Sequence, residues 1–332
     1  MVHDPAAVSP GLNLYLSGHA AEAVLMDRGG HTLHRWRQPL RRLWPELAVD
    51  PRMAKLEYWR RAWLFPNGDL LAIYEGLGIV KLDARSNVLW SRRGGFHHDL
   101  QVLADGRIWI LDRTGREGVL EDFVTVLDPR GRLVRRIPLL RAFERSRFAP
   151  LLSRMERAGD VFHTNTLEVL DGRSRRGTDP VFRKGNVLLS VLKLDALAVL
   201  DPEREEIVWA RTGSWRRQHQ PALLDDGGLL LFDNLGPGGE RSRVIELDPR
   251  TLRVRWQHGG FFSKTLGSCQ RLPNGNTLIT ESENGRALEV TRGGRIVWEF
   301  HNPHRAGERK ELVAVLFEML RLPAGFPFRG LG

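Results

Sequence analysis

The chain has one cysteine, Cys269, in 332 residues, so no intrachain disulfide and no cysteine-based zinc or redox motif can form. Lysine is scarce as well. It occurs only at Lys55, Lys81, Lys184, Lys193, Lys264 and Lys310, so the formal charge of +10 is carried by arginine. The densest basic cluster, Arg173, Arg175, Arg176, Arg183 and Lys184, is broken by Gly and Asp and has no interleaved aromatics. That pattern argues against a nucleic-acid partner and reads as charge scattered over a solvated surface. No uninterrupted apolar stretch reaches about 18 residues, so no transmembrane segment is expected. Met1 to Tyr15 show no basic start followed by an apolar core, so no signal peptide is visible. Neither a Walker loop nor G-x-G-x-x-G is present, so nothing points to a nucleotide donor, and no cofactor is expected.

Turn residues and a recurring aromatic are abundant: 34 Gly, 18 Pro and 10 Trp, in a chain that is 42% hydrophobic and 27% charged. That is an ordinary globular composition, and it suits an all-β protein better than a helical one. The length is large for one compact core, but repeat architectures escape that limit because each unit packs only on its neighbours.

A repeat is present. AVLMDRGGHTLHRW ends at Trp36, IVKLDARSNVLW at Trp90, VTVLDPRGRLVRRI at Ile137, LAVLDPEREEIVW at Trp209, VIELDPRTLRVRW at Trp256 and ALEVTRGGRIVW at Trp298. Each copy is an apolar strand, an Asp or Thr, a turn and a second strand, which is a β-hairpin pattern. Five copies are preceded by another Gly turn and apolar run: 65–74, 103–112, 182–191, 223–233 and 272–281. Two hairpins make a four-stranded unit of about 45 residues, the size of a propeller blade. The first copy has no such partner upstream, and LVAVLFEMLRLPAGF (312–326) is the candidate to complete it. The expectation is a six-bladed β-propeller, one domain over 1–332, with strands from both termini closing one blade. The Trp residues read as packing between blades. Leu140, Phe143, Phe148, Leu151, Leu152 and Met155 recur at roughly helical spacing, which predicts a helical insertion over about 138–160. A short helix is expected between Pro39 and Arg61.

Propellers bind ligands at loops between strands and blades, so polar residues at one phase of several repeats are site candidates. Three segments qualify: FHHD (His97, His98, Asp99), FHTN (His163, Asn165) and RRQHQP (His219). Each lies just before the first hairpin of its blade, so the three are expected to converge. Any one histidine before a strand is by itself an ordinary hydrogen-bonded loop residue. His31, His34, His258, His301 and His304 lie at other phases and read as structural, and His3 and His19 receive no role. A histidine cluster suits zinc, with Asp99 as a further carboxylate, but no two of the three segments show the short ligand spacing of a preformed metal site, and no metal is assigned. The other chemistry open to it is nucleophilic: a neutral imidazole attacks phosphorus or sulfur and carries the group covalently.

FHHDLQVLADGRIWIL, HTNTLEVL, QHQPALLDDGGLLLFDN, SRVIELDPRTLRVRW and QRLPNGNTLITESENGRALEVTRGGRIVWEF resemble the bacterial arylsulfate sulfotransferase family, from about Gly11 to the C-terminus. The resemblance implies a six-bladed propeller that moves a sulfuryl group from an aryl sulfate to a phenol, without a nucleotide, through a sulfohistidine. By the same resemblance His219 is the nucleophile, His163 and Asn165 support it, and a further histidine is His98 rather than His97. The family's sulfate-binding Arg falls at Leu192. Lys193 is adjacent but on the opposite face of a strand and could substitute only through a bulge; Arg113, Arg216 and Arg217 are the other candidate cations. Loss of that Arg opens an alternative, a non-catalytic binding module that kept the fold. Family members are commonly exported or membrane-anchored, which implies the periplasm or cell envelope. With no signal peptide visible, the cytoplasm stays open, as does the oligomeric state.

Overall fold

The computed structural model describes residues 3–48, 57–177 and 179–328. The chain divides into two compact units, one of residues 1–94 with 266–332 and the other of residues 95–265.

In the first unit, β1 (Asn13–Ser17), β2 (Glu22–Met26) and β3 (Thr32–Arg37) form one sheet, and β4 (Trp59–Leu64), β5 (Leu70–Tyr74), β6 (Gly78–Leu82) and β7 (Val88–Arg93) form the next. The second unit holds three sheets. The first has β8 (Phe96–Val102), β9 (Ile108–Arg116), β10 (Val119–Leu127) and β11 (Leu133–Pro138), with the two-residue β12 (Gly159–Asp160) added beside β10. The second has β13 (Thr164–Val169), β14 (Val187–Val191), β15 (Ala196–Asp201) and β16 (Glu206–Thr212). The third has β17 (His219–Leu223), β18 (Leu229–Asp233), β19 (Ser242–Leu247) and β20 (Val254–Phe261). The first unit is completed by a sheet of β21 (Ser268–Arg271), β22 (Thr277–Glu281), β23 (Arg286–Val290) and β24 (Ile296–His301). A small ribbon of β25 (Arg305–Ala306) and β26 (Leu312–Val313) follows, and then β27 (Leu316–Arg321), which pairs with β1 through Asn13↔Arg321 and Leu14↔Leu320. Strands from early and late in the chain therefore share one sheet. The fold class is the all-β six-bladed propeller, with six four-stranded antiparallel blades.

The repeated Asp or Thr has a local cause. In all six outer hairpins the ladder shifts register at the same place, between Leu25/Met26, Lys81/Leu82, Val126/Leu127, Val199/Leu200, Glu246/Leu247 and Glu289/Val290. The next residue then caps the turn with its side chain. Asp83 Oδ1 accepts from the backbone N–H of Arg85 and Asn87, Asp128 Oδ1 from Arg130 and Arg132, and Asp248 Oδ1 from Arg250 and Thr251, while Thr291 Oγ1 accepts from Arg295. Asx and Ser/Thr turns of this kind satisfy backbone donors that the shifted ladder leaves unused. Two of the repeated Trp residues link successive blades of the first unit. Trp36 Nε1 donates to Gly68 O at 3.0 Å, in the next blade's Asn-Gly turn, and Trp298 Nε1 donates to Arg28 O at 2.8 Å.

Among the described residues, helix is confined to short pieces. Leu40–Leu43 and Pro45–Ala48 lie after β3, and the rest of that segment, 49–56, is outside the described residues. After β11 come a helix at Leu139–Glu144 and a 3-10 turn at Ala149–Arg154, whose Phe143 and Leu139 sit in the core shared by β9, β10 and β13–β16.

Candidate functional site

The candidate histidines and Asn165 sit on or just before the first strands of the three blades of the second unit, β8, β13 and β17, and each of those strands is bulged there. The ladder skips between His97 and Leu100 on β8, between Thr164 and Thr166 on β13, and between His219 and Ala222 on β17. His98, His163 and Gln220 have φ of 51°, 48° and 47°, a region that side chains other than glycine seldom occupy. Bulges re-aim side chains out of the alternating pattern, and backbone held in this region marks positions that the surroundings over-determine.

The bulges are locked from strand to strand. Asp99 Oδ2 accepts from Leu167 N at 3.0 Å and Asp99 Oδ1 from Leu100 N at 2.9 Å. This carboxylate, considered from the sequence as a metal ligand, is engaged with backbone. One step further out, Gln101 Oε1 accepts from Val169 N and Glu168 Oε2 from Leu223 N, so each inner strand holds the next.

A first group of side chains runs from Asp122 to Arg113. Asp122 is buried; its Oδ2 accepts from Thr164 N at 2.7 Å, and its Oδ1 lies 3.8 Å from His97 Nε2. Burial pushes its carboxyl up to about 6. His97 and His98 share a hydrogen bond between their Nδ1 atoms at 2.9 Å, so one ring donates and the other accepts. The His98 ring meets His163 edge to face, with centroids 4.7 Å apart. His163 Nδ1 donates to Asp160 Oδ2 at 2.5 Å, and His163 N donates to Asp160 Oδ1 at 2.9 Å. Arg113 Nη1 reaches the same Oδ2 at 3.4 Å. Burial works to raise the Asp160 carboxyl, but the His163 hydrogen bond and the nearby His163 and Arg113 charges outweigh it and hold the group below the usual carboxylate range.

Asp160 is delivered by β12, which pairs in parallel with β10 at the end of the long β9–β10 hairpin. Arg113 is placed by the close approach of Gly95, whose O accepts from Arg113 N at 3.1 Å. A Cβ at Gly95 would stand 1.9 Å from Arg113 O.

A second group surrounds His219. Its Nδ1 lies 2.8 Å from Asn234 Oδ1 and 3.0 Å from Arg217 O, and both are acceptors. Asn234 is oriented by its own Nδ2, which donates to Ser263 O at 2.7 Å. The Nδ1 nitrogen must therefore carry the proton, and the lone pair of the neutral ring is on Nε2. The residues flanking His219 are held by β13: Asn165 Nδ2 donates to Gln218 O at 2.9 Å, and Gln220 N donates to Thr166 Oγ1 at 3.0 Å.

His97, His98, His163 and, through Asp160, Arg113 are thus brought together. Asn165 reaches the residue before His219, its Nδ2 donating to Gln218 O at 2.9 Å. Arg217 meets His219 through its backbone carbonyl, while its side chain is exposed, and Arg216 is likewise exposed. Leu192 differs from the sequence expectation in its setting. β14 ends at Val191, and Leu192–Leu194 form a 3-10 turn rather than strand. Leu192 N donates to His163 O and Lys193 N to Phe162 O, so the turn backs the His163 segment. Lys193 Nζ pairs with Glu156 Oε1 at 2.7 Å.

Asp122, Asp160 and Asn234 escape the sequence reading. Asn234 ends the apolar run LLLFDN, and a polar pair closing a buried strand is the one signal that marks it.

The sequence profile of the family described as Arylsulfotransferase (ASST) matches residues 64–303. The chain belongs to the arylsulfotransferase family. No curated protein gives a significant match. Among solved structures, similarity extends to a protein of unknown function from Bacteroides caccae, at 12% identity, 92% of this chain, 97% of that one and TM-score 0.58. A functionally unknown protein from Desulfotomaculum acetoxidans is similar at 8% identity, 92% and 99% coverage and TM-score 0.51. The WD40 β-propeller domain of Doa1 is similar at 12% identity, 95% and 90% coverage and TM-score 0.51. At such identities these likenesses bear on fold alone. Among the described residues of this arylsulfotransferase-family chain, no helix is long and apolar enough to cross a membrane.

Proposed function

We propose that the protein transfers a sulfuryl group from an aryl sulfate to a phenol, without a nucleotide, through a covalent intermediate on His219. The observation that carries this is the pair of acceptors on His219 Nδ1, Asn234 Oδ1 and Arg217 O. With the proton fixed there, the Nε2 lone pair attacks sulfur, the S–O(aryl) bond breaks, and its electrons leave on the phenolate oxygen. A proton delivered by the His98–His163 pair, whose imidazoles are 4.7 Å apart, converts the phenolate to the phenol. An acceptor phenol then loses its proton to the same pair and attacks the sulfur of the N-sulfo group. The electrons of the N–S bond return to Nε2. The His163–Asp160 hydrogen bond places a carboxylate where an imidazolium charge would appear during these transfers. Arg113, on the same carboxylate, and the second N–H of the Asn165 amide are the donors proposed for the sulfuryl oxygens.

A second reading, a binding module that kept the histidine pocket but not turnover, is favoured by Leu192. That residue is buried and apolar on the turn behind His163, and its neighbour Lys193 is paired with Glu156. Incubation with a chromogenic aryl sulfate, with and without a phenol, decides between them. Transfer requires phenol-dependent release of the chromophore and a sulfo-adduct on the intact protein, both absent in His219→Ala. Equal turnover by His219→Ala would overturn the mechanism, and an inactive wild type with no adduct would leave the binding module.

A further inference from the structure

A second histidine cluster lies in the first unit, on residues that sulfuryl transfer does not use. His19 sits on the β1–β2 turn, Glu22 opens β2, and His304 follows β24. One ligand atom from each lies within 4.8 Å of the other two. From these three side chains the geometry points to a site for a divalent first-row cation of the zinc class.

The donor set is two imidazoles and one carboxylate, borderline ligands that suit Zn²⁺ or Co²⁺ rather than Mg²⁺ or Ca²⁺. The backbone around it is fixed. Gly18 N donates to Val315 O at 2.8 Å, Ala314 N donates to His304 O at 3.0 Å, and Asn302 Nδ2 ties the His304 loop to Ser17 Oγ at 2.8 Å. The carboxylate and one ring also have the outer partners that orient metal ligands. Arg35 Nη1 donates to Glu22 Oε1 at 2.7 Å, and Tyr15 Oη is 3.4 Å from His304 Nε2, which leaves Nδ1 of that ring to face the ion. Among the described residues, the buried ring nitrogen His19 Nδ1 has no hydrogen-bond partner.

The two rings stack at 3.5 Å with 6° between their planes, so His19 must turn out of the stack to aim its lone pair at an ion shared with His304. It has room to do so, because it lines a cavity of about 320 Å³ with Arg37, Arg41 and Tyr58. Around a tetrahedral zinc, ligand atoms lie about 3.4 Å apart, so closing the set takes a side-chain rotation and no backbone shift. Three protein ligands leave a fourth position for water or a small anion. The bound ion would staple the turn after β1 to the loop after β24.

The test uses the whole chain, stripped with a chelator and titrated with Co²⁺ alone. The expected result is one equivalent bound with the visible d–d absorption of a four- or five-coordinate ion. The band should be lost in His304→Gln and Glu22→Gln and kept in His98→Asn and His163→Asn. Zn²⁺ should raise the melting temperature of the wild type and leave that of His304→Gln unchanged. If His304→Gln fails to fold, His19→Asn, which alters a partly exposed ring, is read in the same way. Absence of the band, or a band that survives His304→Gln and His19→Asn and disappears in His98→Asn, would overturn the assignment.

Discussion

The Nδ1 nitrogen of His219 and the Oδ1 oxygen of Asn234 stand 2.8 Å apart in a buried setting, and the acceptor is an amide, not a carboxylate. His163, by contrast, donates to the carboxylate of Asp160. On the proposed reaction the difference separates two roles. A neutral acceptor would fix the His219 tautomer without compensating a cationic N-sulfo ring, which would keep that intermediate reactive. A carboxylate partner suits a ring that takes up and releases protons. Asn234→Asp should therefore prolong the intermediate. The expected outcome is slower turnover by roughly tenfold or more, with a sulfo-adduct that accumulates in the intact mass spectrum. An adduct no longer-lived than in the wild type would contradict this assignment.

Asp160 and Asp122 should give opposite pH signatures in stability. The Asp160 carboxyl is held below its ordinary 3.8, so its contribution is present above that value and is lost as pH falls through the lower folded-state value. Asp122 is pushed up to about 6, so its contribution is full below 3.8 and is lost as pH rises through 6. Urea unfolding should show Asp160→Asn less stable than the wild type by about 1 kcal/mol at pH 7, with the gap closing on acidification. Asp122→Asn keeps an acceptor for Thr164 N–H and cannot ionise. It should gain on the wild type between pH 4 and 7, by roughly 1–3 kcal/mol. Parallel pH profiles for wild type and variant would refute either assignment.

The strands were legible in the sequence because the ladder shift and its capping residue recur at one phase. Asp83, Asp128, Asp201 and Asp248 each follow an apolar strand and precede a turn whose N–H groups they accept. The histidines were legible for a similar reason, since His98, His163 and His219 stand on or just before the first strand of a blade. Their partners were not. Asp160 stands three residues before His163 but outside the repeated phase, so repetition does not mark it, and β12 brings it beside Arg113 by adding to β10. Asn234 meets His219 by a strand pairing, β17 with β18, that places the ends of two strands side by side. Leu192 read as strand because LLSVLKLDALAVL is largely apolar, whereas Asp195 at φ 47° ends a 3-10 turn there.

Arg321 on β27 and Glu289 on β23 form an ion pair at 3.1 Å whose side chains are 1% and 0% exposed. Arg321 Nε also donates to Asn13 Oδ1 at 2.7 Å, and Glu289 Oε1 accepts from Ser9 N at 2.7 Å. Arg321→Met leaves a buried carboxylate without its counter-charge and should cost roughly 3–5 kcal/mol in urea unfolding. Adding Glu289→Gln removes that charge and keeps an acceptor for Ser9, so the double variant should recover a large part of the loss. A double variant no more stable than Arg321→Met would show that the cost lies in packing around the arginine stem.

On the proposed reaction, Arg113 and Leu192 would decide where the sulfuryl charge is met. Leu192 holds the position where a family cation is expected, and its turn carries none toward His163, because Lys193 pairs with Glu156. Arg113 is the guanidinium on the His163 side, through Asp160. If it is the donor to the developing charge, Arg113→Met should lower aryl sulfate cleavage by roughly 10² to 10³, the usual cost of one transition-state donor. Leu192→Arg in the wild type should then change the rate little, because the charge is already met. In the Arg113→Met background it should restore a measurable part of the rate, less than all of it because the new guanidinium displaces a buried leucine. Full activity in Arg113→Met would remove Arg113 from the site. An inactive wild type that turns over as Leu192→Arg would mark a transferase disabled at that one position. Silence from both, with no adduct on His219, would leave a propeller that binds and does not transfer.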